Sequence, residues 1–285
     1  MSPRLPFALS LLLTALPALA TPALAEGPRT HGDLVIDDPP PSRTEDPTGR
    51  WTADVEGALT RGSRRTWVGP PVPSYMPAGF DQLELVKLAG YPEGHLGLYM
   101  EPFGTRDQPG CASENMWDNC AAVLRFYTHD GQLAWQHDAA ALYPRKDHLV
   151  VHHFAYDAGT LFYPEACQTY AKDAQGKCSQ LVAVDVSASP PKVLWRSAPR
   201  LSNSDVVTVG AWLVTGYGFT AEKDFLHVLD RKTGKLVSKV ALKKAPERIV
   251  LNPAGKIEVT LYPGDVSEVF ELQGDKRPKL VRAKP

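Results

Sequence analysis

The chain has 285 residues, 22% of them charged, and its 31 Lys and Arg against 32 Asp and Glu give a formal net charge of −1. That balance supplies no drive toward nucleic acid or an anionic membrane. Aromatic and β-branched residues are plentiful after residue 80, which excludes a disordered chain there.

Residues 1–25 read as a secretory signal peptide. Arg4 supplies a short positive region, Phe7 to Leu16 an apolar run, and Ala18–Ala20 and Ala23–Ala25 two small-residue sites for cleavage after Ala20 or Ala25. The apolar run is too short for a bilayer anchor, and no membrane-spanning segment is expected elsewhere. The expected location is therefore periplasmic or extracellular. No cysteine lies near either cleavage site, which argues against a lipid anchor. Residues 26–79 hold nine prolines and are expected to form an irregular arm, in which Asp33 to Asp37 is one strand that adds to the main sheet system.

Residues 80–285 show no helical period. Short apolar runs alternate with Gly, Pro, Asn and Asp turns, the pattern of an all-β meander. One hairpin recurs, ending at Trp135, Trp195, Ser238 and Arg282, with spacings of 60, 43 and 44 residues. Before each hairpin lies another strand pair whose second strand ends in tyrosine: Tyr99, Tyr163, Tyr217 and Tyr262. Each unit is thus four short strands, here a, b, c and d. A single such sheet cannot bury both faces, so neighbours must stack. The expected architecture is a small β-propeller of four visible blades, with the arm as a candidate partial fifth. A twisted β-sandwich is the alternative.

The segment Leu226 to Leu236, with its Asp-Arg-Lys-Thr-Gly turn, resembles the repeat turn of quinoprotein-like (PQQ-like) propellers. Asp130 to Trp135 and Lys192 to Trp195 resemble the same motif with its terminal tryptophan. The likeness covers roughly residues 120 to 240 and fades in the last unit, which lacks both Thr-Gly and Trp. It implies blade geometry. The dehydrogenases of that family have more blades, a metal-binding set of Glu, Asn and Asp, and often adjacent cysteines. This chain has no adjacent cysteine pair, so neither the cofactor nor the activity is carried over, and no cofactor is expected.

From strand-b tyrosine to strand-d end the first two units span 36 and 32 residues, the last two 21 and 20. The additional residues lie between strands b and c and hold all four cysteines, Cys111 with Cys120 and Cys167 with Cys178. In an exported chain this position favours two local disulfides, each closing a loop of roughly ten residues and contributing about 2–3 kcal/mol. The rivals are crossed pairing between blades and a zinc site, although the spacings do not match the tight knuckles of structural zinc.

In an antiparallel meander the b–c loops and the d-to-a links emerge on one face. That face would carry both Cys-bearing loops, Trp117, Tyr170, the tyrosines Tyr99, Tyr163 and Tyr217, and an acid near each a-strand start: Asp81, Asp147, Asp205 and Glu247. Enlarged loops on one end of a scaffold suit binding. Tyrosines at strand ends also commonly pack with a wet hydroxyl, and acids at turns are usually solvated.

Chemical motifs are sparse. His148, His152 and His153 invite a metal reading, but in a strand over Asp147 to Phe154 the first two would stand roughly 13 Å apart, too far for one ion. No nucleophile elbow, phosphate loop or His-Glu-x-x-His motif appears. Ser202-Asn-Ser204-Asp205 has only a superficial likeness to a nucleophile loop, with no assignable base. The expectation is an exported non-catalytic propeller that binds a protein, glycan or cell-envelope component through its loop face. The alternative is a small secreted hydrolase or lyase with paired carboxylates at the ring mouth.

Overall fold

The computed structural model describes residues 72–81, 83–100, 122–142, 151–166, 176–219, 221–262 and 266–283, together with the backbone of four N-terminal strands. Those four are β1 (Thr30–Ile36), β2 (Thr52–Ala53), β3 (Leu59–Thr60) and β4 (Arg65–Val68), and β5 (Gly79–Phe80) follows.

Four antiparallel blades come next. The first is β6 (Leu83–Tyr91), β7 (Gly94–Met100), β8 (Ala122–Thr128) and β9 (Leu133–Asp138), closed by a one-turn helix α1 (Ala139–Leu142). The second is β10 (Ala155–Asp157), β11 (Thr160–Glu165), β12 (Gln180–Asp185) and β13 (Lys192–Arg196). The third is β14 (Val206–Val209), β15 (Trp212–Tyr217), β16 (Phe225–Asp230) and β17 (Leu236–Ala241). The fourth is β18 (Pro246–Leu251), β19 (Ile257–Leu261), β20 (Val266–Gln273) and β21 (Lys279–Arg282). Within each blade the strands pair in sequence order, as a meander demands. The chain is a four-bladed β-propeller, and the sandwich alternative is set aside.

Strand β1 pairs with β6 on one side and β4 on the other, so the arm widens the first blade and does not form a fifth. Backbone groups along the inner edge of β6 would otherwise lack ladder partners, and β1 and β5 supply them.

Middle strands serve two neighbours at once because side chains alternate across a sheet. On β11, Leu161 and Tyr163 pack toward the first blade while Phe162 packs toward the third. On β12, Val182 and Val184 face one way, Leu181 and Ala183 the other. Such strands read as continuous apolar runs, since neither face meets water. Strand β19 differs: Ile257, Val259 and Leu261 are buried against the third blade, and the residues between them are half-exposed. Among the described residues no apolar cluster joins the fourth blade to the first. The outer face of the first blade is capped by Val72 and Met76 from its own preceding segment, over Leu85, Leu88 and Tyr99.

The tryptophans of the repeat motif dock one blade on the next. The Trp195 indole N–H donates to the Arg231 carbonyl at 3.1 Å, and its ring lies on Gly234, where a Cβ would come within 2.4 Å. Gly234 has φ +66°, so the turn needs glycine for its backbone as well as for the ring. Arg231 also pairs with Asp157 of the second blade. In the same way Trp135 stacks on Phe126 and reaches Tyr156 of the second blade, ring centres 5.6 Å apart in each case.

Candidate functional site

Apolar packing holds blades pairwise, and a polar cluster at the axis links all four. Lys87 comes from β6 of the first blade, His153 from the link into β10, and Asp205 from the residue before β14. The Lys87 ammonium donates to Asp205 Oδ1 at 3.0 Å, and His153 Nδ1 lies 2.7 Å from the same oxygen. Asp205 Oδ2 accepts the Ile249 backbone N–H of β18 at 3.0 Å. One carboxylate thus receives a donor from each of the other three blades.

The geometry sets the imidazole tautomer. Lys87 Nζ and His153 Nδ1 approach to 3.3 Å as two donors converging on one oxygen. His153 therefore carries a proton on Nδ1 and donates it to Asp205. The Lys87 and Asp205 side chains are 4% and 9% exposed, whereas His153 is 21% exposed and is the member of the trio most open to solvent.

Of the strand expected over Asp147 to Phe154, the described residues 151–154 are not in a strand, and β10 begins at Ala155. Val151 and Phe154 both enter the core between the first and second blades, a spacing of three that a strand cannot give. The segment is a link between blades, which frees His153 to turn toward the axis. Asp147 and His148 lie outside the described residues.

Of the expected face residues that are described, Asp205 alone is axial. Asp81 sits exposed in the turn between β5 and β6 at φ 44°, and Glu247 is exposed on β18. Three tyrosines are internal. The Tyr99 hydroxyl donates to the Pro77 carbonyl at 3.0 Å, and its ring meets Phe80 edge-on. The Tyr163 hydroxyl pairs with His137 Nε2 at 3.0 Å, and that of Tyr217 donates to Glu222. Tyr99 and Tyr163 are fully buried and Tyr217 is 4% exposed, so they brace the face from beneath and present no ring to a partner. Burial drives all three phenol pKa values upward. Trp117, Tyr170, Cys111, Cys120 and Cys167 lie outside the described residues. Cys178 is buried and disulfide-bonded.

Beneath the b–c loop of the second blade, Glu165 is held bidentately by Arg196 at 2.9 to 3.2 Å, and Arg196 also donates to the Leu142 carbonyl. Burial raises the Glu165 pKa, and the guanidinium partly offsets that rise. Desolvation lowers His137 and His227 to about 4, so both are neutral imidazoles at pH 7. Among the described residues no group of three His, Cys, Asp or Glu side chains has the arrangement of a metal site. Sequence reasoning passed over Lys87 and read His153 only as one of three histidines on a strand. The available signal was a lysine inside the apolar run Leu85-Val86-Lys87-Leu88-Ala89, which a strand buried on both faces tolerates only with a partner.

Blades, meander order and a polar axial hub define the class: a β-propeller of four antiparallel blades. No protein-family model and no curated protein sequence matches the chain. Among solved structures it is similar to a protein of unknown function from Bacteroides caccae, 12% identical over 90% of this chain and 73% of that one, TM-score 0.42. It is also similar to BamB from Moraxella catarrhalis, 14% identical over 79% of this chain and 80% of that one, TM-score 0.31. A third is the periplasmic gluconolactonase PpgL of Pseudomonas aeruginosa, 11% identical over 89% and 95%, TM-score 0.34. Likeness at this level carries no argument about ligand or reaction. Among the described residues no helix is long and apolar enough to cross a membrane.

Proposed function

We propose that the protein is an exported, non-catalytic propeller that binds a protein, glycan or other component of the cell envelope through its loop face. The observation that supports this reading is the saturation of Asp205. Its two oxygens accept from Lys87, His153 and the Ile249 N–H, so the axial acid acts as a structural tie. The other two described acids of the expected set, Asp81 and Glu247, lie exposed. Binding then falls to the long b–c loops that bear Trp117 and Tyr170, which two local disulfides, Cys111–Cys120 and Cys167–Cys178, would stiffen. The signal-like N-terminus and the quinoprotein-like repeats are consistent with an envelope scaffold.

Site-specific photocrosslinking in intact cells tests this. A photoreactive residue at position 117 or 170 should give a discrete adduct, and one at Glu93 on the opposite face should give none. Absence of adducts at 117 and 170, or an equal adduct at Glu93, rejects the reading.

One observation favours a second reading, a secreted hydrolase. An imidazole held by a carboxylate and partly open to solvent is the arrangement of a general base. On that reading the wild type hydrolyses simple esters or lactones and His153→Gln does not. A wild type without such activity removes it.

A further inference from the structure

The overall charge of −1 conceals a strong asymmetry. Residues 225–285 carry 13 Lys and Arg against 7 Asp and Glu, a net +6 that leaves −7 for the rest of the chain. Five of those 13 cations gather at one edge of the fold. Turns between strands c and d emerge on the face opposite the long b–c loops. In the third blade that turn bears Lys232 and Lys235, and in the fourth Lys276, Arg277 and Lys279, all five exposed. The two turns are neighbours: Ser238 Oγ on β17 donates to the Pro278 carbonyl at 2.6 Å, between Arg277 and Lys279.

None of the five enters an ion pair among the described residues, unlike Lys256 and Arg282 of the same blade, which pair with Glu271 and Glu268. No described carboxylate pairs with them directly, and two acids, Asp230 and Asp275, offset only part of their charge. Asp230 is occupied by the backbone N–H groups of Lys232 and Thr233 and by the Thr233 hydroxyl, and Asp275 is the one exposed acid on these turns. Leu236, 42% exposed, stands among the cations.

We infer that this double-turn edge is a docking surface for an anionic lipid bilayer. Four of the five cations are lysines, compact point charges on flexible stems. They suit a diffuse plane of headgroups better than the fixed fork that a single phosphate or carboxylate selects. They sit on protruding turns and do not converge on a pocket, and an exposed leucine among them can enter the acyl boundary. The expected loop face then points away from the membrane, so both surfaces can be occupied together.

The test is co-sedimentation of the full chain with phosphatidylglycerol–phosphatidylcholine vesicles and with pure phosphatidylcholine vesicles, at about 0.1 M salt. Each lysine near a charged surface changes affinity about fivefold, so K232Q/K276Q/K279Q should bind the anionic vesicles about 100-fold more weakly. The matched triple K243Q/K244Q/R248Q, on the opposite side of the same blades, should bind as wild type. Circular dichroism shows whether each variant keeps its fold, and all six positions are exposed. The inference is overturned if the wild type does not bind the anionic vesicles or binds the neutral ones equally. Equal loss in the two triples overturns it too, as does release by millimolar inorganic phosphate, which would indicate a phosphate site.

Discussion

Replacing Asp205 with asparagine is the most direct probe of the axial hub. The substitution keeps size and shape but removes the charge. One amide oxygen can still accept from Lys87 and His153, but the NH2 group then faces the Ile249 N–H, donor against donor; flipped, the amide opposes Lys87 instead. Either way at least one hydrogen bond is lost, and the Lys87 ammonium, 4% exposed, stays buried and loses the Asp205 charge it pairs with. Breaking a buried pair in this way costs about 3–5 kcal/mol. For a domain of this size that lowers the melting temperature by roughly 6–20 °C. Replacing both partners, K87M/D205L, removes the buried cation together with its anion and should cost only about 1–2 kcal/mol, for the stranded His153 and Ile249 donors. Urea unfolding at pH 7 measures both. A loss below about 1 kcal/mol for D205N, or a double variant as unstable as the single, would refute the account of Asp205 as the tie between blades.

Three further outcomes follow from the same structure. His137 and His227 have folded pKa values lowered to about 4. Below about pH 6.5 the unfolded chain gains protons that the folded one does not, so stability falls as pH drops from about 6.5 toward 4. By pH 5 the loss is about 2 kcal/mol per histidine, and H137Q/H227Q should flatten the slope in pH-dependent urea melts. Gly234→Ala drives a methyl into the Trp195 ring at φ +66° and should cost about 2–3 kcal/mol. Gly255→Ala, at φ +73° with open space around it, should cost only about 1 kcal/mol, and thermal melts of the pair separate the two effects. Arg196→Met leaves Glu165 buried without its guanidinium and should cost about 2–4 kcal/mol at pH 7. That loss should shrink as acid protonates the carboxyl.

Blade structure was legible because it rests on local rules. Alternating apolar runs, glycine turns such as Asp230 to Gly234 and recurrent tyrosines all act within a dozen residues, and pairing in sequence order turns them into meanders. Even the tryptophan motif was visible before its role was clear, since the contact from Trp195 to Gly234 lies only 39 residues along the chain. The tyrosines show the limit. A strand-end tyrosine can face water or core, and only the neighbouring blade or cap settles which; at Tyr99 and Tyr163 it is core.

The axial hub lies beyond such rules. Lys87 and Asp205 are 118 residues apart, and nothing near either foretells the other. His153 looked like one histidine of three on a strand until a blade-to-blade link placed it at the axis. A basic edge built from two turns is equally invisible to a net charge that sums over the whole chain. Residue spacing alone determined that this protein is a repeat of four-stranded antiparallel units with its longest loops on one end. Tertiary structure alone decided which charges meet. Stacking around an axis converts sequence distance into angular position, and a buried charge persists only where that position brings it a partner.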